Sequence, residues 1–190
     1  ILRLDPRTAH GARMFLVGIG PAGFTMAHHL MNDGHIVAGI DGLYNEPLPG
    51  DLSGVDAGGN RVAFSPVYDA SELREPLDNR VMAGFGGVAE YGITVRWDKN
   101  FLKIIRLLLE RRAQFALFVG VRFGGTITAE SAFELGLDHI ALASGACLPS
   151  LLAIPYGMAC GGRTSSEFLF GLQCACADDP DARAQSARAL

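Results

Sequence analysis

Residues 15–41 read FLVGIGPAGFTMAHHLMNDGHIVAGID: an apolar run, a glycine turn, a helical stretch, a second apolar run and then an acid. This is the order of a βαβ unit that holds a dinucleotide, and each part has its own physical task. Gly18, Gly20 and Gly23 stand in GxGxxG spacing. Gly18 is placed to take the tight turn out of the strand, where a side chain would strain the backbone. Gly20 lets a pyrophosphate approach the main chain, and Gly23 lets the helix pack closely on the strand. A helix opening at Pro21 directs its unbonded amides and positive dipole end at the phosphates, and proline suits that first position. Asp41 follows the turn by about 20 residues, where an acid accepts hydrogen bonds from ribose hydroxyls and repels a 2′-phosphate. NADP is therefore disfavoured in this site. The bland alternative is a glycine-rich strand–helix turn without ligand, with Asp41 a solvated acid.

The 190 residues are 49% hydrophobic and 19% charged, with net charge −4, which fits a globular α/β core. No basic stripe suggests nucleic acid. No apolar run reaches the roughly 18 residues of a membrane span, and no secretory signal pattern is present. The chain starts at Ile1, which reads as a processed chain or a fragment. Cys147, Cys160, Cys174 and Cys176 show no C-x-x-C spacing, so buried or idle thiols in a reducing, cytoplasmic compartment are expected.

Around the first unit, residues 1–12 read as a polar lead-in and residues 42–83 as a long Pro/Gly-rich excursion. Ser71 is expected to cap a helix to Met82, with Arg74 and Arg80 solvated. Asp98 is placed to cap a helix through Arg112, whose core stripe would be Phe101, Leu102, Ile105, Leu108 and Leu109. Arg111 and Arg112 suit the C-terminal dipole of that helix. Phe115–Val121 reads as a strand buried on both faces. Thr128 caps a short helix to Leu135, Gly136 ends it, and His139–Ala143 is a fourth strand. Residues 144–162 read as loop, and Thr164–Glu167 as a capping box opening a helix with Phe168, Leu169 and Leu172 inward. Residues 177–190 read as a linker or tail. The alternation predicts an α/β fold with a mostly parallel sheet. The Gly18 turn, Asp41, the segment after Val121 and the loop after Ala143 then meet at its carboxyl edge.

The motifs VGIGPAG, GGVAEYGITVRWDKNFL, ASGA (residues 143–146) and GGRTSSEFLFGLQ occur in this order. The combination resembles the FAD-binding part of the glutamate synthase small subunit, an arrangement shared with dihydropyrimidine dehydrogenase and adrenodoxin reductase. The similarity covers about residues 13–176. It implies a Rossmann-like FAD-binding domain over those residues and FAD as the cofactor. Gly18, Ile19, Gly20, Pro21, Ala22 and Gly23 would hold the pyrophosphate and Asp41 the adenosine ribose. Gly86, Gly87 and Arg96 would lie along the FAD, and Ser144, Gly145 and Ala146 would close over it. The family usually has glutamate where this chain has Asp41, so a closer strand end or a bridging water is expected.

The resemblance also implies NAD(P)H as a co-substrate bound elsewhere and an iron–sulfur partner for the electrons. The family's cysteine-rich amino-terminal domain is missing from this chain. A second GxGxxG is missing too, and with it the NAD(P)H domain. The excursion is longer than usual in the family.

The flavin carries the redox chemistry in such proteins, so no catalytic side chain is nominated. His28 and His29 are adjacent on a helix and point about 100° apart, which disfavours one shared metal. His35 and His139 precede strands, in exposed or capping positions. Lys99 and Trp97 admit ordinary surface and packing roles beside functional ones. Arg96 suits a phosphate or a surface ion pair. Two other functions fit the first motif: an NAD-binding dehydrogenase or regulatory domain, and a non-catalytic nucleotide-binding subunit.

Overall fold

The computed structural model describes residues 11–42, 47–76, 100–145, 154–157, 159, 162 and 164. Outside the described residues lie Arg80, Gly86, Gly87, Arg96, Trp97, Asp98, Lys99, Ala146, the four cysteines, Glu167 and the helix expected after it. The chain separates into two compact units, Ile1–Gly145 and Ala146–Leu190. In the second, the described residues include a turn in which the Gly157 amide donates to the Ile154 carbonyl at 3.1 Å.

The first unit holds strands β1 (Arg13–Val17), β2 (Ile36–Asp41), β3 (Phe115–Val119) and β4 (His139–Leu142). Its helices are α1 (Pro21–Asn32), α2 (Gly50–Ser53), α3 (Phe101–Glu110) and α4 (Ala129–Glu134), with a 3-10 turn at Ala70–Leu73. The four strands form one parallel sheet in the order β3-β2-β1-β4. Val17 pairs with Ile40 and Leu142, and Asp41 with Val119, so these carboxyl ends share one edge. The order runs outward from β1 to β3 and then returns to the far side of β1. Right-handed crossovers must therefore put α4 on the face opposite α1 and α3. The packing agrees. Leu16, Ile19, Val37 and Phe115 bury against Ala27 and Met31 of α1 and Leu109 of α3. Phe15, Val17 and Ile40 bury against Ala132 of α4. The continuous apolar run of β1 follows from this double burial.

Several expectations are corrected. Strand β3 ends at Val119 and is the sheet edge among the described strands; it is not buried on both faces, since Phe118 is 53% exposed. In α3, Leu102 and Leu109 are buried as expected, but Phe101 is exposed and Leu107 is buried. Its other flank is buried too and charged: Arg106 pairs with Glu110 at 2.8 Å, and Lys103 pairs with Glu75 and donates to the Leu73 carbonyl at 3.1 Å. The turn at Ala70–Leu73 is capped by Asp69, which accepts from the Ser71 amide at 2.9 Å, and Arg74 is already extended. Ser71 is therefore inside the turn and not its cap. The Thr128 cap and Gly136 stop hold, with Ser131 completing a capping box.

The excursion is fastened to the sheet layer by arginines. Arg61 donates to the carbonyls of Glu110, Arg112 and Phe115. Arg111 donates to those of Leu52 and Ser65 at 2.8 and 3.0 Å, and lies over the Phe64 ring. Arg112 reaches the Asn32 side chain at 2.8 Å. Arg111 and Arg112 thus serve as tethers between segments, beyond any interaction with the helix dipole.

Candidate functional site

The three glycines of the turn occupy three different environments. Gly18 has φ +91°, and a Cβ there would lie 2.6 Å from the Ala143 carbonyl oxygen. Both the left-handed backbone and the contact with the end of β4 demand glycine. A Cβ at Gly23 would lie 2.0 Å from the Gly18 carbonyl oxygen, so the first turn of α1 rests directly on the loop. Among the described residues, a Cβ at Gly20 would meet nothing within 4 Å. Two glycines are thus consumed by the protein's own packing, and the middle one faces open space.

Helix α1 opens onto that space. Gly20 is its N-cap, Pro21 holds the first helical position, no side chain among the described residues caps the end and no acid lies in the first turn. The first amides of a helix have no partner within it. The earliest helical bond here runs from the Phe24 amide to the Gly20 carbonyl at 2.9 Å. Gly20, Ala22 and Gly23 therefore present main-chain N–H groups at a positive helix end, which attracts an anion.

The amides of Gly18 and Ile19 are committed otherwise. Gly18 donates to the Ile40 carbonyl at 2.8 Å, and Ile19 donates to Asp41 Oδ2 at 3.1 Å. The Ile19 side chain is fully buried beneath β2, where it requires Gly39: a Cβ there would lie 2.5 Å from Ile19 Cδ1. Ile19 thus anchors the turn and offers neither its amide nor its side chain to a ligand. Gly39 and the Asp41–Ile19 bond escaped the reading of the sequence. The signal for Gly39 is a lone glycine inside a strand, which marks close approach. The bond joins residues distant in the chain and has no local signature.

Ser144 and Gly145 follow β4 on the same edge, both exposed. The Ser144 Cα would be 3.0 Å from a Cβ at Gly18, and Gly145 has φ +72°. The structure therefore brings the Gly18 turn, the end of β2 at Asp41 and the first residues of the ASGA segment to one edge of the sheet. Pro21 and Ala22 are exposed there. The expected sites at Gly86, Gly87, Arg96 and Ala146 lie outside the described residues.

The other candidates have local roles. His35 Nδ1 accepts from the Ala12 amide at 3.0 Å, and His139 is the exposed first residue of β4. The rings of His28 and His29 stand edge to face at 5.6 Å, and His28 Nε2 lies 3.1 Å from the Asn32 amide nitrogen. A cavity of about 730 Å³ opens beside β3, walled by Pro47, Asp56, Arg61, Glu110, Leu117 and Phe118. No residue of the glycine turn lines it, and its charged groups are already bonded within the protein. Burial pushes the Glu110 carboxyl above its ordinary range, against the pull of Arg106.

Among the described residues no helix is long and apolar enough to cross a membrane. No family model matches the chain. Over 168 residues it is 42% identical to a Rickettsia prowazekii (strain Madrid E) protein named "Uncharacterized protein RP006"; the match takes in 88% of this chain and 22% of that protein's length.

Proposed function

We propose that this chain is the FAD-binding part of an electron-transfer flavoprotein linked to NAD(P)H, with a Rossmann-like domain as its scaffold. The observation that carries the reading is the contrast among the three glycines. Gly18 and Gly23 are forced by packing, whereas no described residue lies where a Gly20 side chain would go, and among the described residues no acceptor meets the amides of Gly20, Ala22 and Gly23 at this helix start. A pyrophosphate uses such a space. The residues fit the group: Gly20, Pro21, Ala22 and Gly23 would hold the phosphates. Asp41, at the end of β2 on the same edge, would stand beside the ribose.

The position of Ser144 and Gly145 against the turn supports FAD over NAD, because the segment there resembles the Ala-Thr-Gly-Ala stretch of the flavoproteins, with serine in place of threonine. When bound, FAD supplies the hydride and electron chemistry. The chain's own contribution is to bind, orient and screen it. NAD(P)H would bind another domain or subunit, and an iron–sulfur partner would take the electrons. The relative's greater length leaves room for such parts in one polypeptide.

The test is the colour of the purified chain. A yellow protein that releases FAD on denaturation supports the reading. Gly20→Val should fold, since open space receives the side chain, but should lose flavin. Stabilisation by NAD and not by FAD would point to the dehydrogenase or regulatory alternative. Response to neither would point to a non-catalytic role. Unchanged flavin content in folded Gly20→Val would overturn the placement of the site.

A further inference from the structure

We propose that Asp41 is a positioning residue: its carboxylate holds the glycine turn in the shape that receives phosphate, independently of any contact with a ribose. The functional consequence rests on the nucleotide reading above. Three constraints converge on the same short segment. Consecutive residues of β2 hold consecutive amides of the turn, Ile40 through its carbonyl to Gly18 at 2.8 Å and Asp41 through Oδ2 to Ile19 at 3.1 Å. The Asp41 carbonyl in turn accepts from the Val121 amide at 3.0 Å, which fixes the acid at the sheet edge. The Ile19 side chain is fully buried above Gly39, so its amide cannot swing away to find water without leaving the core.

An amide this confined needs its acceptor, because a buried donor without a partner bears the full desolvation penalty. Without the carboxylate, the turn must rotate at Ile19 to hydrate that N–H. Gly20 is the next residue, so the rotation displaces the atoms that frame the open space. The affected ligand group is therefore the phosphate, and the loss should not depend on sugar hydroxyls.

Two measurements test this. The first is amide exchange at Ile19 in the ligand-free protein. The second is the affinity for ADP and for 2′,3′-dideoxy-ADP, which lacks the hydroxyls a ribose-clasping acid would hold. Asp41→Ala should speed Ile19 exchange by about tenfold or more and weaken both nucleotides by a common factor of about ten. Asp41→Asn keeps an acceptor oxygen and should stay within about threefold of wild type in exchange and in dideoxy-ADP affinity. Unchanged Ile19 exchange in Asp41→Ala would overturn the proposal, as would a loss confined to ADP.

If Asp41→Ala does not fold, Asp41→Asn carries the test: wild-type exchange with a large loss of dideoxy-ADP would sink the idea. If the wild type binds neither nucleotide while Asp41→Ala still speeds exchange, the hold on the turn stands and the nucleotide reading falls.

Discussion

A methyl group at Gly23 would press on a backbone oxygen at 2.0 Å, whereas one at Gly39 would press on the tip of Ile19 at 2.5 Å. A side-chain tip can move and a turn carbonyl cannot, so the two alanine variants should rank. Gly39→Ala should lose about 1–3 kcal/mol, the usual range for overpacking, and Gly23→Ala more. Ile19→Val removes the offending Cδ1, so it should recover part of the loss in Gly39→Ala. Urea denaturation of the three variants and the double variant checks the order; equal losses at both glycines would refute it.

His28 supplies a second test at this scale. Burial, then the charges of Arg112 and His29, hold its pKa below the ordinary histidine value. Its Nδ1 is buried without a partner among the described residues. The unfolded chain therefore takes up the proton first as pH falls. Stability present above the unfolded value of 6.5 should be lost as pH drops from there towards the lower folded value. His28→Gln should flatten that dependence in melting curves between pH 7.5 and 5.5. An unchanged slope would show that this imidazole does not contribute.

Elements with a repeating local pattern were legible in the sequence; those decided by distant partners were not. Strands β1 and β2 and helix α1 lie where the apolar runs, Gly18 and Pro21 place them, because each signal acts over a few residues. Helix α3 shows the limit. Its apolar periodicity identified one buried flank but could not reveal that Arg106 and Glu110 would bury each other on the next. Nor could it show that Arg61, far earlier in the chain, would cover the carbonyls at its end. In the site, Gly18, Gly20 and Gly23 were readable from spacing, while the turn-holding role of Asp41 needed β2 in register with β1.

Arg61 gives the element scale its test. Charge-assisted bonds contribute more than neutral ones, and this guanidinium joins the excursion to both α3 and β3. Arg61→Ala should lower stability by roughly 1–3 kcal/mol. It should also open residues 47–76 to limited proteolysis before the sheet unfolds. Arg61→Lys, which lacks the planar fork, should fall between. Cleavage at the wild-type rate in Arg61→Ala would show that the tether is not what holds the excursion.

The first compact unit contains its own core. Among the described residues, both main clusters draw on positions between Met14 and Ala143, and they cover the two faces of one sheet. Its length is within the range where a single core sustains a domain. A chain ending at Gly145 should therefore unfold in one cooperative transition, with the circular dichroism of a parallel α/β sheet. Ending it at Leu137 is a different cut. That removes β4, strips one edge of β1, and takes away the Ile140 and Ala141 contacts. It also deletes Asp138, whose Oδ2 accepts from the Arg13 amide at 2.7 Å. Gly18 would lose the Ala143 carbonyl that its turn packs against, so the glycine turn and the sheet should fail together. Denaturant titrations of the two truncated chains decide the matter. Cooperative unfolding of the longer and a non-cooperative profile for the shorter are expected, and a non-cooperative longer chain would show that residues 146–190 are part of the same folding unit.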